Sequence, residues 1–193
     1  MDKLGIFRTK SFIERKYGKS VEEDLTLKKQ VRVDWTRACA DLLKNYKALE
    51  VDLGAGSFSN VFLFESRSNP RMKYAVKIMF KSDFDEVILK LVNEEVGILA
   101  MLDHPNIVKY TESYEDEENL YIVMEYLEDA TELQKMIDKQ IKIAEKDESK
   151  KNESLFPEKL VCKMMYMLLR GLHHIHTNNI VHRDVKPENC LID

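Results

Sequence analysis

The sequence predicts an α+β chain, strand-rich first and helix-rich afterwards. Three observations carry this. Five short runs rich in β-branched and aromatic residues lie between positions 46 and 125. One long run with apolar residues at helical spacing, Phe84 to Leu102, interrupts them after the third. Beyond position 130 the periodicity is helical, until a short apolar run at Cys190-Leu191-Ile192. A length of 193 residues suits one domain, or one domain plus an extension.

Composition narrows the classes of function. With 44% hydrophobic and 33% charged residues, the chain can bury a core and is not a disordered tail. No stretch approaches the eighteen or so apolar residues that cross a bilayer, so no membrane span is expected. The first residues carry no apolar signal core, and Asp2 stands where N-myristoylation needs glycine. Cys39, Cys162 and Cys190 follow no metal or disulfide spacing, which points to a reducing, cytoplasmic setting. A net charge of -4 argues against nonspecific nucleic-acid binding, so no nucleic-acid partner is expected.

Residues 1–45 read as an extension that packs on the domain or frays. Early basic residues, among them Lys3, Arg8 and Lys10, precede the acidic Glu22-Glu23-Asp24. Ser20-Val21-Glu22-Glu23 fits a capping box, in which hydroxyl and carboxylate each satisfy an unpaired backbone N–H. Asp34 to Lys44 reads as a helix, with Trp35, Ala38, Cys39 and Leu42 at helical spacing.

Residues 46–125 form the strand-rich segment. Tyr46 to Leu53 and Val61 to Phe64 read as strands joined by a glycine-rich turn, Gly54-Ala55-Gly56-Ser57-Phe58-Ser59-Asn60. Gly54 and Gly56 allow a tight turn whose backbone can approach phosphates. A dinucleotide-binding fingerprint would open a helix here, whereas this turn returns into a strand. Lys73 to Phe80 is the third strand. Its alternation places Tyr74, Val76 and Ile78 on one face and Ala75, Lys77 and Met79 on the other. The helix from Phe84 to Leu102 has Ser82 as its candidate cap. Of the adjacent Glu94 and Glu95, Glu95 falls on the apolar stripe of Ile88, Leu91, Ile98 and Leu99, and a carboxylate there requires a cation; Lys77 is the natural one. Gly97 is a helix-interior glycine with an intrinsic cost of about 1 kcal/mol relative to alanine. Ile107 to Glu115 and Leu120 to Glu125 complete the strands around an acidic turn.

Residues 126–193 form the helical segment. Thr131 to Ile143 reads as a helix, followed by the charged run Glu145 to Ser154, a solvated loop. Pro157 opens the next helix. Leu160, Val161, Met164, Met167, Leu168, Gly171, Leu172 and Ile175 make its apolar face. His173, His174, His176 and His182 lack accompanying acidic or thiol ligand spacing, so a metal centre is not expected there. The stretch His182-Arg183-Asp184-Val185-Lys186-Pro187-Glu188-Asn189 then places an acid, an ammonium and an amide at fixed offsets between a helix and a strand.

These parts, in this order, resemble the catalytic domain of eukaryotic-type serine/threonine protein kinases over residues 46–193. The carriers are the glycine-rich turn, Ala75-Val76-Lys77, Glu95, Asp103-His104-Pro105-Asn106-Ile107, the hinge-like Met124-Glu125-Tyr126-Leu127 and the H-R-D-x-K-x-x-N loop. Lys186, two after Asp184, is similar to the serine/threonine branch. The phrases around Asp103 and His182 look most like the calcium/calmodulin-dependent and calcium-dependent group. Ser59 replaces the family's third glycine. Glu128 to Glu132 replaces its usual Gly-Gly-Glu with one more residue.

The resemblance implies a protein-kinase-like fold: a five-stranded antiparallel N-lobe sheet with one helix, the family's αC, plus an incomplete helical C-lobe. It implies ATP and Mg²⁺ as cofactors and a protein substrate as partner. Asp184 would accept the substrate hydroxyl proton, Lys186 would stabilise the moving phosphoryl group, and Asn189 would hold Mg²⁺. Gly54, Ala55, Gly56, Ser57, Phe58 and Ser59 would cover the phosphates, and Lys77 paired with Glu95 would grip them. Val61 and Ala75 above and Leu191 below would enclose adenine, Met124 would guard the back pocket, and the backbone of Glu125 and Leu127 would meet the adenine edge. Glu132 is the ribose candidate, and Arg183 would pair with a phosphorylated activation loop.

The family's Asp-Phe-Gly metal ligand and Ala-Pro-Glu signature do not occur within the 193 residues. The expectation is a C-terminally truncated catalytic domain whose helix from Pro157 exposes apolar surface for a chaperone or partner chain. The 193-residue chain alone is expected to phosphorylate no substrate efficiently. Robust phosphorylation that disappears in Asp184→Ala would overturn this. Two alternatives stay open, a noncatalytic ATP-binding or regulatory module and a partner-binding fragment.

Overall fold

The computed structural model describes residues 4–6, 39–55, 59–146 and 154–193, with the side chains of 4–6, 87–88, 90–91 and 93–95 left out. The capping box at Ser20 to Glu23, Trp35 and Ala38, the turn residues Gly56, Ser57 and Phe58, and most of the charged run after Lys146 lie outside the described residues. The elements in chain order are β1 (Leu4–Ile6), α1 (Ala40–Asn45), β2 (Tyr46–Ala55), β3 (Ser59–Ser66), β4 (Lys73–Phe80), α2 (Glu86–Met101), β5 (Tyr110–Glu115), β6 (Asn119–Glu125), β7 (Thr131–Glu132), α3 (Leu133–Lys146), α4 (Glu158–Thr177) and β8 (Cys190–Ile192). They divide into two compact units. One holds residues 12–101 and 109–126, the other residues 1–11, 102–108 and 127–193.

The first unit is a five-stranded antiparallel sheet in the order β2-β3-β4-β6-β5. Directly opposed residues share a face, so the register assigns both surfaces. Phe62, Val76 and Val123 align across three strands, and Ile78 stands opposite Tyr121. This face forms a core with Leu42 and Tyr46, and Leu42 is fully buried. Met79, Leu120 and Ile122 on the other face pack with Val92 and Val96 of α2. Each face therefore has its own apolar cover, which suits a sheet with apolar residues in both registers.

The β5–β6 turn is held by Asp116. Its Oδ1 accepts the backbone N–H groups of Glu118 (2.9 Å) and Asn119 (2.7 Å), while Oδ2 accepts the Tyr121 hydroxyl (2.7 Å). Burial first, and then this carboxylate, push the Tyr121 hydroxyl pKa up. Lys81 Nζ pairs with Glu115 at 2.6 Å beside the same turn.

Of the helix expected from Asp34, residues 34–38 lie outside the described residues and Ala40–Asn45 are helical. Three sequence-based boundaries are corrected. Ser82 is not the cap of α2. Lys81–Asp83 form a 3₁₀ turn, and the Asp85 carbonyl accepts the first helical bond from Leu89 N–H (3.0 Å), which puts Asp85 at the N-cap. The strand expected from Ile107 starts at Tyr110, because Asn106 and Ile107 donate their N–H groups to His104 and form a turn. Thr131 and Glu132 are extended rather than helical, because they pair with Ile192 and Leu191 of β8.

Gly97 lies within α2, exposed to solvent, and a Cβ built there meets nothing within 4 Å. Gly97→Ala is therefore expected to stabilise the protein by about 0.5–1 kcal/mol, read as a higher urea midpoint at unchanged slope. A lower midpoint would show that the helix requires glycine there.

In the second unit, α4 buries Met164, Met167, Gly171 and Ile175, residues three or four apart on one face. Met167 and Cys190 form a small core with Leu133, Leu168 and Ile192. The helix ends in a Schellman motif: Asn179 N–H bonds His176 O (3.0 Å) and Ile180 N–H bonds Ile175 O (3.1 Å). Asn179 has φ 58°, a conformation asparagine tolerates better than branched residues. This stop aims the chain into the loop that follows. The three-stranded sheet β1-β8-β7 closes the unit. No strand was expected at Leu4–Ile6, since three residues are too few for a periodicity signal.

Candidate active site

Two groups of expected site residues can be built up, one in each unit. In the first unit, the β3–β4–β6 register places Val61, Lys77 and Ile122 in one cross-strand row and Leu63, Ala75 and Met124 in the next. Lys77 is only 7% exposed, although lysine is rarely buried. An ammonium in that position is stabilised by an anion nearby. Glu95 falls within α2, with its side chain outside the described set.

Gly54 stands opposite Val61 with φ 153°, backbone that glycine adopts and Cβ-bearing residues avoid. Its N–H donates to Asp52 Oδ1 at 2.7 Å. Ala55 pairs with Asn60 and Ser59 with Met79, so the strands converge on the turn. At the end of β6, Glu125 is fixed twice to Lys109. Its N–H donates to the Lys109 carbonyl and its Oε1 accepts the Lys109 N–H, both at 2.9 Å.

In the second unit, the loop from His182 to Asn189 is held by its own polar groups. Arg183 has φ 64°, an uncommon conformation for a non-glycine residue and a frequent mark of functional loops. His182 Nδ1 accepts the Asp184 N–H at 3.2 Å. Asn189, 1% exposed, donates through Nδ2 to Asp184 O (2.8 Å) and Asp184 Oδ2 (2.9 Å). Both acceptors are oxygens, which fixes the amide orientation. Lys186 Nζ approaches Asp184 Oδ2 at 3.2 Å. The acid, ammonium and amide expected from spacing thus converge.

The Asn189 amide also tests the fit to a cation. Its Oδ1 is buried and has no hydrogen-bond partner among the described residues. A buried acceptor left unpaired is costly, and a hard oxygen-seeking ion such as Mg²⁺ satisfies it. The amide oxygen of Asn189 is a donor of the kind that ion takes.

Leu127, expected at the adenine edge, accepts the Ala130 N–H at 3.4 Å through its carbonyl. Glu132 stands opposite Leu191 in the β7–β8 ladder, and its Oε1 receives Lys135 Nζ at 3.2 Å. Cys190 contributes a contact that spacing did not reveal. Its Sγ lies 3.4 Å from the Lys186 carbonyl, and burial pushes the thiol pKa up, keeping it a protonated donor.

His104 and His174 stack with centroids 5.1 Å apart, and the described residues contain no group of three or more metal-ligating side chains. Burial, then the nearby His174 and Arg170, lower the His104 pKa below its ordinary 6.5. The unfolded chain binds this proton near 6.5, whereas the folded chain resists it. Stability is therefore full above that value and falls as pH drops through 6.5 toward the folded value. Melting temperature is expected to decline from pH 7.5 to 5.5, with a shallower slope in His104→Gln; identical slopes would remove His104 as a cause.

A five-stranded antiparallel sheet with one covering helix, followed by a helical unit carrying this loop, is a protein-kinase-like fold. The chain belongs to the protein kinase domain family, which matches residues 47–193. It is 35% identical over 147 residues to calcium-dependent protein kinase 6 of Plasmodium berghei, covering 76% of this chain and 9% of that protein. It is 37% identical over 153 residues to the mouse (Mus musculus) serine/threonine-protein kinase DCLK3, covering 79% of this chain and 17% of that one. Among solved structures, Rad53 residues 1–466 in complex with AMP-PNP aligns with a TM-score of 0.59 and 26% identity, over 76% of this chain and 34% of that chain. The chain spans well under half the length of each of these relatives. Among the described residues, no helix is long and apolar enough to cross a membrane.

Proposed function

We propose that this chain carries the nucleotide-gripping unit and the catalytic loop of a cytoplasmic serine/threonine protein kinase, most like the calcium/calmodulin-dependent and calcium-dependent group. The reaction is transfer of the γ-phosphoryl group of ATP to a protein serine or threonine hydroxyl. The convergence of Asp184, Lys186 and Asn189 carries the reading: Lys186 Nζ and Asn189 Nδ2 both lie within 3.2 Å of Asp184 Oδ2. The relatives' names and the AMP-PNP in the Rad53 structure support it.

In this reading Asp184 accepts the hydroxyl proton as the oxygen attacks phosphorus, and Lys186 offsets charge on the transferring group. Lys77, with Glu95 as its partner, holds the α- and β-phosphates, beneath the turn from Gly54 to Ser59. Val61, Ala75 and Leu191 enclose adenine, Met124 limits the pocket behind it, Glu125 and Leu127 supply backbone contacts, and Glu132 takes the ribose. Asn189 Oδ1 is the group that would meet Mg²⁺, which neutralises phosphate charge when bound. Val161, Met165 and Leu169, 37%, 47% and 57% exposed at helical spacing on α4, form the surface a chaperone or partner chain would cover.

Thermal-shift titration of the 193-residue chain with ATP tests the reading, with and without Mg²⁺. A saturable rise in melting temperature, larger with Mg²⁺, is expected. No shift in either condition would reject nucleotide binding.

A further inference from the structure

The strand β1 lies outside the region that matches the protein kinase domain family, yet it pairs with the strand that leaves the catalytic loop. Leu4 stands opposite Ile192, Gly5 opposite Leu191 and Ile6 opposite Cys190. On the other edge of β8, β7 is two residues long and pairs only with Ile192 and Leu191. Among the described residues, Cys190 therefore has its ladder partner in β1 alone. Cys190 is the residue after Asn189, and its Sγ meets the Lys186 carbonyl. A two-residue strand is a weak support for a three-residue one; a second edge partner, laid also against α4, strengthens it. Gly5 falls opposite Leu191, so β1 adds no side chain beside Leu191 in that row.

We propose that Leu4–Ile6 is a positioning segment. It docks on the edge of β8 and holds the backbone at Cys190, and thereby Asn189, in the geometry that presents the amide oxygen to Mg²⁺. The Mg²⁺ part rests on the function proposed above, whereas the docking does not. A three-residue strand is displaceable by a competing extended segment, so its release lowers the Mg²⁺-dependence of nucleotide binding without unfolding the nucleotide-gripping unit.

The buried thiol of Cys190 provides the test of docking. Directly opposed residues in an antiparallel pair have Cα atoms about 4.5–5.5 Å apart, within disulfide range, and positions two residues off register exceed it. The full chain carrying Ile6→Cys, treated with oxidised glutathione, is expected to form a disulfide from position 6 to Cys190. Leu4→Cys, placed opposite Ile192, is not. Peptide mapping distinguishes these from products at Cys39 and Cys162. Failure of Ile6→Cys to cross-link to Cys190, or equal cross-linking by Leu4→Cys, overturns the docking.

Calorimetric ATP titrations test the positioning. In the double variant Gly5→Pro/Ile6→Pro, two successive N–H groups are removed, so whichever faces β8 is lost. Its Mg²⁺-free ATP affinity is expected to stay within about twofold of the unsubstituted chain, while the enhancement by Mg²⁺ falls about tenfold, as for loss of an outer support of a metal ligand. The oxidised Ile6→Cys chain keeps the full enhancement, which shows that a docked strand suffices. Equal enhancement in the double variant and the unsubstituted chain overturns the positioning role. If the unsubstituted chain binds no ATP at all, the proposed function and the Mg²⁺ role fall together, and the cross-link still decides the docking.

Discussion

Asn189→Leu is expected to lower stability by about 2–4 kcal/mol and to remove the Mg²⁺-dependent part of ATP binding. The stability loss comes from Nδ2, which bonds both the backbone carbonyl and the carboxylate of Asp184. A hydrogen bond to a charged group contributes about 1.5–3 kcal/mol and one to a carbonyl about 1 kcal/mol. Leucine is of similar size, so at this 1% exposed position little cavity forms to obscure the polar effect. The loss of Mg²⁺ response comes from Oδ1, the buried acceptor with no partner among the described residues. Urea unfolding reads the first effect and paired ATP titrations the second. A midpoint change worth less than about 0.5 kcal/mol would show that the amide does not hold the loop. An unchanged Mg²⁺ response would remove Asn189 from the cation site.

Lys77→Met should separate binding from folding. Lys77 is 7% exposed, and burying an ammonium carries a desolvation cost that methionine avoids at similar length. The variant also leaves the carboxylate proposed to pair with Lys77 without its cation, so a loss of stability of up to about 3–5 kcal/mol is expected. Its response to ATP should collapse as well. A ligand at 100 times its dissociation constant adds about 2.7 kcal/mol of stability, whereas one at its dissociation constant adds about 0.4 kcal/mol. A hundredfold loss of affinity would thus shrink the ATP-induced stabilisation between those values. An ATP response equal to the parent's would show that Lys77 does not touch phosphate. A variant that fails to fold would show that its ammonium is structural.

Much of the sheet was legible before any coordinates. The alternation of Lys73 to Phe80 put Ala75, Lys77 and Met79 on one face, and the register with Leu63, Val61 and Ser59 shows that face. Strand periodicity is a local property, written by neighbours two positions apart. Boundaries were less legible where a distant group competes for the backbone. Thr131 and Glu132 run directly into the helical pattern that begins at Leu133, yet the edge of β8 captures them as strand. Ser82 has the chemistry of a helix cap, yet Asp85 holds the position because a 3₁₀ turn at Lys81–Asp83 comes first.

The candidate site divides along the same line. Residue types and offsets were enough to single out Asp184, Lys186 and Asn189 as a group, since a short loop keeps its members close. They could not show which end of the Asn189 amide faces Asp184, nor that Oδ1 is the buried atom without a partner among the described residues. Those depend on the hydrogen-bond acceptors that folding gathers around it. The partner of Cys190 was beyond reach altogether, because Ile6 lies at the far end of the chain and a three-residue strand has no period to read. The sequence by itself determined the order of strands and helices, the two faces of the central strand and the chemistry of the loop, all set by side chains a few residues apart. Only the tertiary structure decided which edges pair, where the helices begin and how the loop's amide points, because those are settled by backbone groups competing for partners across the whole chain.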